Sequence, residues 1–176
     1  EEAVPPLLRQ RDALTAKIAA EVGFDALVMG GYSIAASRLG QPDVGYLSMT
    51  EMVQAVKCIV DATELPVFAD GDTGYGNALS VRRTMQEYEK AGAAAVLFED
   101  QVWPKRCGHM VGKQVIDASE HAKKLRAAAD ARTDEDLLLI ARTDARAVNG
   151  LEDAVERGKL YLDNGAEALF IEAPQD

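Results

Sequence analysis

Cysteine occurs only twice in this 176-residue chain, and no apolar run reaches the length of a membrane span. Two cysteines in unlike settings do not make a disulfide framework. Without about 18 consecutive apolar residues, no transmembrane helix is expected. Cations are also short: 19 Lys and Arg face 29 Asp and Glu, a net charge of −10. That balance argues against nucleic acid or an anionic membrane surface as a partner. It leaves a small anionic substrate open, because a local group of arginine and backbone N–H donors can override the global field. No Gly-x-Gly-x-x-Gly or P-loop pattern follows any apolar run, which lowers the case for a nucleotide site. The opening Glu1-Glu2-Ala3-Val4-Pro5-Pro6 has neither the basic nor the apolar region of a signal peptide. A reducing intracellular setting is the expectation, cytoplasmic or in an organelle matrix.

What is present is enough apolar material, 48% of residues, for a core in one domain spanning 1–176, or in part of a larger one. Five short apolar runs read as strands: 25–29, 66–69, 94–98, 137–141 and 168–171. They lack polar alternation, as parallel strands covered on both faces do. Helical patterns run over 8–22, 50–62, 78–91, 118–131 and 151–164. Thr50 and Asn77 suit N-terminal caps, and Gly92 and Gly165 suit C-terminal stops. Gly23, Gly92 and Gly165 each stand just before a strand, a faint repeat of βα units. Such units imply an α/β fold with a parallel sheet, closed as a barrel or open and doubly wound.

The strand ends say more. They carry Gly30-Gly31-Tyr32-Ser33, Asp70-Gly71-Asp72-Thr73-Gly74-Tyr75-Gly76, Glu99-Asp100-Gln101, Arg142-Thr143-Asp144 and Glu172. In a βα barrel those ends converge on one mouth, the active site. Helix capping alone would explain one or two of these carboxylates, and poorly explains five consecutive ends. Asp70 and Asp72, two apart on an extended segment, point the same way. Glu99 ends the neighbouring strand. Three carboxylates without imidazole or thiolate suit Mg²⁺ or Mn²⁺ that keeps several waters. Ca²⁺ is the rival, though EF-hand spacing is missing; pairing with Lys or Arg is the structural alternative. Arg142 can clamp a substrate carboxylate bidentately, or pair with Asp144 or Glu172. Gly30, Gly31 and Gly108 let backbone N–H groups approach an anion closely.

Pro104-Lys105-Arg106-Cys107-Gly108-His109 sets a cysteine between cations and a histidine. Nearby cations favour thiolate over thiol, so Cys107 can exchange a proton near neutral pH. Cys58, in Val56-Lys57-Cys58-Ile59-Val60, reads as packing. His109 can polarise a carboxylate or cap its loop. His121, in a helix among charged residues, reads as a solvated position. The set suits making or breaking a C–C bond beside a carboxylate. A metal stabilises the enolate of a 2-oxo acid, and the cysteine protonates the carbanion-like fragment.

The stretches Asp70–Asn77, Glu99–His109, Ala141–Ala145 and Phe170–Ala173 together resemble the isocitrate lyase/phosphoenolpyruvate mutase superfamily. Within it the chain is most similar to the 2-methylisocitrate lyase and dimethylmalate lyase branch, and to carboxyvinyl-carboxyphosphonate phosphonomutases. The resemblance runs from about Asp12 to the C-terminus. It implies an eight-stranded barrel, often with a swapped last helix, a Mg²⁺ or Mn²⁺ cofactor, a small carboxylate substrate and a homo-oligomer, usually a tetramer. It gives Asp70, Asp72 and Glu99 to the metal, with Asp43 of Gln41-Pro42-Asp43 as a further acid beside it. Cys107 matches the proposed general acid, with Arg106, Gly108 and His109 around the substrate carboxylates. Arg142 and Glu172 match substrate-site residues, and 101–112 matches a loop that closes over the substrate.

Two departures follow. Gly30-Gly31-Tyr32 stands where methylisocitrate lyases carry Ser-Gly-Gly, so substrate identity can differ while backbone binding survives. The family's first strand has no apolar counterpart before Asp12, and the chain stops after the sixth. That leaves a (β/α)₈ barrel incomplete, with about five βα units. The expected activity is a Mg²⁺-dependent lyase that splits a 2-hydroxy di- or tricarboxylate into pyruvate and a short acid. No residue identifies itself as the base. The alternatives are oxaloacetate decarboxylation or hydrolysis, a carboxyphosphonoenolpyruvate mutase-like reaction, and an inactive fragment that folds by association. Cys107 favours a lyase over a phosphoryl mutase, since the phosphonate-forming mutases generally lack the cysteine motif.

Overall fold

The computed structural model describes residues 7–173, so the opening hexapeptide Glu1–Pro6 lies outside the described residues. In chain order the elements are β1 (Leu7–Gln10), α1 (Ala13–Val22), β2 (Ala26–Met29), α2 (Gly31–Leu39), α3 (Met49–Val60), β3 (Val67–Asp70) and α4 (Ala78–Lys90). They continue as β4 (Ala95–Glu99), α5 (Ala118–Ala129), β5 (Leu138–Thr143), α6 (Ala145–Val148), α7 (Leu151–Leu162) and β6 (Ala168–Ile171). The six strands pair in sequence order, β1 to β6, and every pairing is parallel. Helices connect consecutive strands, which is the winding of a (β/α) barrel, here with six strands.

β1 corrects one expectation. The sequence pattern shows no strand before residue 25 and starts a helix at residue 8. Instead, Leu7–Gln10 pairs with β2 from Leu7↔Ala26 to Gln10↔Met29. Four residues that include Arg9 and Gln10 are too short and too polar to read as a strand; the ladder to β2 decides their conformation. The helix starts only at Ala13, where the Asp12 carboxylate accepts the Thr15 N–H at 2.8 Å. α2 begins at Gly31, directly after β2, and its cap residue Gly30 makes no side-chain bond. With no capping side chain, that start carries little signal in the sequence.

The core lies between the helices and the sheet. Leu27, Met29, Val67, Ala69, Val96, Phe98, Leu139 and Ala141 from the strands are buried, as are Met52, Ile59, Val81, Met85 and Leu125 from the helices. Two further readings are corrected by helix phase. α3 buries Met52, Ala55, Val56 and Ile59, so Cys58 falls on the outer face and is exposed rather than packed. α5 buries His121, Ala122, Leu125 and Ala128, so His121 heads the apolar stripe instead of facing solvent. Its ring meets Tyr161 edge-on, centroids 4.7 Å apart. Burial pushes the imidazole down to about 3, so it stays neutral at physiological pH.

One core residue ties the helical layer to the strand ends. Tyr88 of α4 is fully buried, and its hydroxyl donates to the Asp70 carbonyl at 2.9 Å. Tyr88→Phe keeps the ring and loses this bond; a cost of about 1 kcal/mol is expected. Tyr88→Ala empties the site, with an expected cost of roughly 3–5 kcal/mol. Urea unfolding of the two variants checks both, and equal costs would contradict this assignment.

Candidate active site

The sheet register sets the acids and Arg142 at the same end. Glu99 N–H donates to the Asp72 carbonyl at 2.9 Å, Glu99 stands opposite Arg142, and Glu172 N–H donates to the Thr143 carbonyl at 3.0 Å. Asp70 ends β3, and the turn after it is tightly constrained. A Cβ on Gly71 would stand 2.6 Å from the Phe98 ring and 3.0 Å from the Leu97 carbonyl, so only glycine fits. Asp72 and Tyr75 take left-handed backbone, with φ of 48° and 59°. Such conformations are costly outside glycine, most of all for a bulky residue, and need surrounding support. Here the Tyr75 hydroxyl donates to Asp72 Oδ2 at 3.1 Å and lies 3.3 Å from the Tyr88 hydroxyl.

The expectation that Asp70 and Asp72 point together on an extended segment is replaced by this turn. Asp70 Oδ1 accepts the Asp72 N–H at 3.0 Å, and Oδ2 accepts the Gly31 N–H at 2.8 Å. Asp72 faces a group the sequence reading passed over. The Lys105 ammonium sits 2.6 Å from Asp72 Oδ1 and 2.7 Å from Asp43 Oδ1, and Lys105 is 3% exposed. A Cβ on Gly31 would stand 3.2 to 3.4 Å from Asp70, Lys105 and Asp43, so the glycine closes one wall of the cluster.

Arg142 gathers the other acids. Its Nε and Nη2 fork onto Asp144 at 2.9 and 3.1 Å, and Nη2 lies 3.3 Å from Glu99 and 3.5 Å from Glu172. Both pairings weighed for Arg142 from sequence, Asp144 and Glu172, are therefore present. The Cys107 loop comes down on this group. A Cβ on Gly108 would overlap the Glu172 carboxylate and stand 2.9 Å from Arg142 Nη2. Cys107, half-buried and free, precedes Gly108 in the chain, two residues after Lys105.

Charge is unevenly balanced. Burial, together with the neighbouring Asp70, pushes Asp72 up to about 6, outweighing Lys105. Burial pushes Glu99 well above the usual carboxyl range, against the pull of Arg142 and Lys105. Asp70 ends up lowered: burial opposes its charge, but Lys105, Arg142 and two N–H donors outweigh it. Lys105 and Arg142 are raised, since the surrounding carboxylates more than offset desolvation.

A divalent cation fits this surplus. Both Glu99 carboxylate oxygens are buried without a hydrogen bond, and Asp72 Oδ1 meets Lys105 only as an ion pair without hydrogen-bond alignment. Among the described residues, no three His, Cys, Asp or Glu side chains gather closely enough to ligate one ion by themselves. The joint ligand set expected from Asp70, Asp72 and Glu99 is therefore loosened by Lys105, which separates Asp43 from Asp72. One or two carboxylates plus waters is the arrangement Mg²⁺ prefers.

Four candidates stay outside the cluster. Tyr32 is exposed on a groove of about 530 Å³ with Leu8, Arg9 and Thr15. A Cβ on Gly30 would approach Arg9 and Ser33 rather than the acids. Arg106 is exposed and donates to the Val111 carbonyl of its own loop at 3.3 Å, and His109 is exposed. Sequence reasoning missed Lys105. Arg106, next to it, is exposed while Lys105 is buried, so adjacency in sequence did not tell the two cations apart.

Residues 7–176 match the family model described as phosphoenolpyruvate phosphomutase. The chain is 53% identical over 164 residues to a 2,3-dimethylmalate lyase of Eubacterium barkeri, covering 93% of this chain and 57% of that protein. It is 45% identical over 162 residues to a 2-methylisocitrate lyase of Shewanella oneidensis, covering 92% and 56%. The chain thus spans just over half the length of these relatives. Among solved structures it is similar to a 2,3-dimethylmalate lyase, with TM-score 0.94, 39% identity and coverage of 98% and 58%. It also matches oxaloacetate acetylhydrolase bound to 3,3-difluorooxalacetate, with TM-score 0.93, 38% identity and coverage of 97% and 60%. A phosphonopyruvate hydrolase complexed with oxalate and Mg²⁺ matches with TM-score 0.88, 35% identity and coverage of 96% and 58%.

The raised Asp72 carboxyl gives a stability test. Its pKa in the folded protein, about 6, exceeds the unfolded 3.8, so its contribution favours the fold at low pH and is lost as pH rises through about 6. Without divalent ions, the melting temperature is expected to fall over that window, and Asp72→Asn is expected to flatten the fall. Mg²⁺ is expected to raise it more at about pH 8 than at about pH 5. Thermal scans with and without EDTA measure this; a Mg²⁺ shift independent of pH would contradict it.

Proposed function

The chain belongs to the phosphoenolpyruvate phosphomutase family, and on that premise we propose that it is a divalent-metal-dependent carbon–carbon lyase. Its substrate is a 2-hydroxy di- or tricarboxylate of the 2,3-dimethylmalate or 2-methylisocitrate kind, and its products are pyruvate and a short carboxylic acid. The observation that carries the reading is the seating of one loop, with Lys105 among the acids and Gly108 against Arg142 and Glu172. Cys107 belongs to the same loop, which supports reading its thiol as part of the site.

Asp70, Asp72, Glu99 and Asp43 would hold Mg²⁺ or Mn²⁺, partly through waters, and the ion would supply positive charge to the 2-oxygen and the adjoining carboxylate. Arg142 binds a substrate carboxylate, and the Cys107 loop excludes water. Lys105 balances Asp43 and Asp72, so that the site does not repel an anionic substrate. Once the hydroxyl proton has left, the C2–C3 bond breaks and its electron pair passes to the departing fragment. The carboxylate of that fragment delocalises the charge. The Cys107 S–H delivers the proton to the carbon. The same reading includes assembly with further copies of the chain and a reducing compartment.

A second reading, cleavage of oxaloacetate, is favoured by the likeness to oxaloacetate acetylhydrolase. Pyruvate release from 2,3-dimethylmalate and 2-methylisocitrate, against oxalate and acetate release from oxaloacetate, separates the two. Cys107→Ser is expected to lower turnover by roughly 10²–10⁴-fold, the range for a lost general acid. Mn²⁺ binding, followed by electron paramagnetic resonance, should stay unchanged. Turnover near the natural rate would remove Cys107 from its role.

A further inference from the structure

Lys113 lies outside every motif considered so far, yet it is buried, and its ammonium bridges two elements. It donates to the Gly108 carbonyl at 2.7 Å and to Asp144 Oδ1 at 2.6 Å. Asp144 is fully buried, and it is the carboxylate that accepts the Arg142 fork. Asp144 is itself fixed, since its N–H donates to Asp100 Oδ1 at 3.0 Å. Asp100 in turn accepts the Thr143 and Tyr161 hydroxyls at 2.7 and 2.8 Å. One end of the bridge is therefore anchored in the barrel wall. The other end is the turn that carries the thiol, closed by Met110 N–H on the Cys107 carbonyl at 2.8 Å.

From this geometry we propose that Lys113 is a positioning residue: it fastens the Cys107–Gly108 turn to Asp144 and so sets the thiol and the Arg142 guanidinium in one frame. Two other side-chain ties hold the loop: the Lys105 ammonium on Asp43 and Asp72, and Gln101 on the Arg106 backbone. Gln101 accepts the Arg106 N–H and donates to the Arg106 carbonyl, both at 2.9 Å. The Gln101 tie joins the loop to the end of the strand it leaves and Lys105 joins it to the turn after β3, whereas Lys113 fastens the Gly108 turn to the end of β5. Bonds this short to a charged donor are of the stronger class. Losing the cation leaves Arg142 still forked on Asp144, so substrate grip survives while the lid loosens. A defect in kcat without a matching defect in KM follows. The catalytic part of this assignment rests on the lyase reading; the latch itself does not.

The test compares the two thiols of the intact protein. Cys58 is exposed on α3, far along the chain from the latch, and serves as an internal reference. Lys113→Met is expected to raise the ratio of Cys107 to Cys58 alkylation by iodoacetamide about tenfold, equivalent to ~1.4 kcal/mol, read by mass spectrometry. With Mg²⁺ present, pyruvate release should lose about tenfold in kcat with KM within about twofold. If Lys113→Met does not fold, by circular dichroism, Lys113→Gln gives the same reading with a shorter polar side chain. An unchanged alkylation ratio in a folded variant overturns the assignment. So does an equal rise in kcat and KM defects, which would mean that Arg142, not the loop, was displaced. If the natural protein releases no pyruvate from 2,3-dimethylmalate or 2-methylisocitrate, the lyase reading fails, and the alkylation ratio still decides the latch.

Discussion

Everything at this rim depends on how buried negative charge is balanced. Asp43, Asp72, Glu99, Asp144 and Glu172 are all buried at or beside the strand ends. Removing one carboxylate from water costs several kcal/mol even after relaxation, so each needs a close positive partner or must take up a proton. Lys105 serves Asp43 and Asp72, and Arg142 is spread over Asp144, Glu99 and Glu172. The supply falls short at Glu99, whose buried oxygens face Arg142 without a hydrogen bond, and where acids crowd, at Asp72. Those are the two carboxyls pushed upward. A cleft short of positive charge at two fixed points is built to receive a cation.

The backbone keeps that shortage in place. Left-handed Asp72 and Tyr75 would relax if free, but the Tyr75 hydroxyl holds Asp72, and the Tyr88 hydroxyl beside it holds the Asp70 carbonyl, which pins the turn to α4. Glycines 31, 71 and 108 sit where a methyl group would meet an acid, a ring or a guanidinium. Close approach of main chain to charge is thus fixed before any ligand arrives, which is the preorganisation that electrostatic catalysis requires.

The strands and the larger helices were legible because buried runs and capping residues leave local marks. The runs ending at Met29, Ala69, Phe98, Ala141 and Ile171 all became strands, within two residues at their ends. β1 was not legible because pairing, not pattern, makes it a strand. α2 was not because it starts without a side-chain cap. Cys58 and His121 were misread because identity was weighed above helical phase. Val56 and Ile59 mark one face of α3, and Cys58 lies off it; Ala122, Leu125 and Ala128 mark one face of α5, and His121 lies on it. Carboxylates at strand ends were legible as a group because the barrel topology collects them. Their partner was not, since Lys105, like Arg106 beside it, was read only as a cation near Cys107.

That pair shows how alternation sorts chemistry. Lys105 is buried, Arg106 exposed and Cys107 half-buried, so neighbouring side chains leave the loop on opposite sides. Reading Arg106 and His109 as the groups around Cys107 assigns the charge by nearness in sequence. The fold assigns it by burial, and the cation that enters the cleft is Lys105. A loop built this way carries the fixed positive charge of Lys105 inward. It sends the guanidinium of Arg106 back to the Val111 carbonyl to hold its own curve.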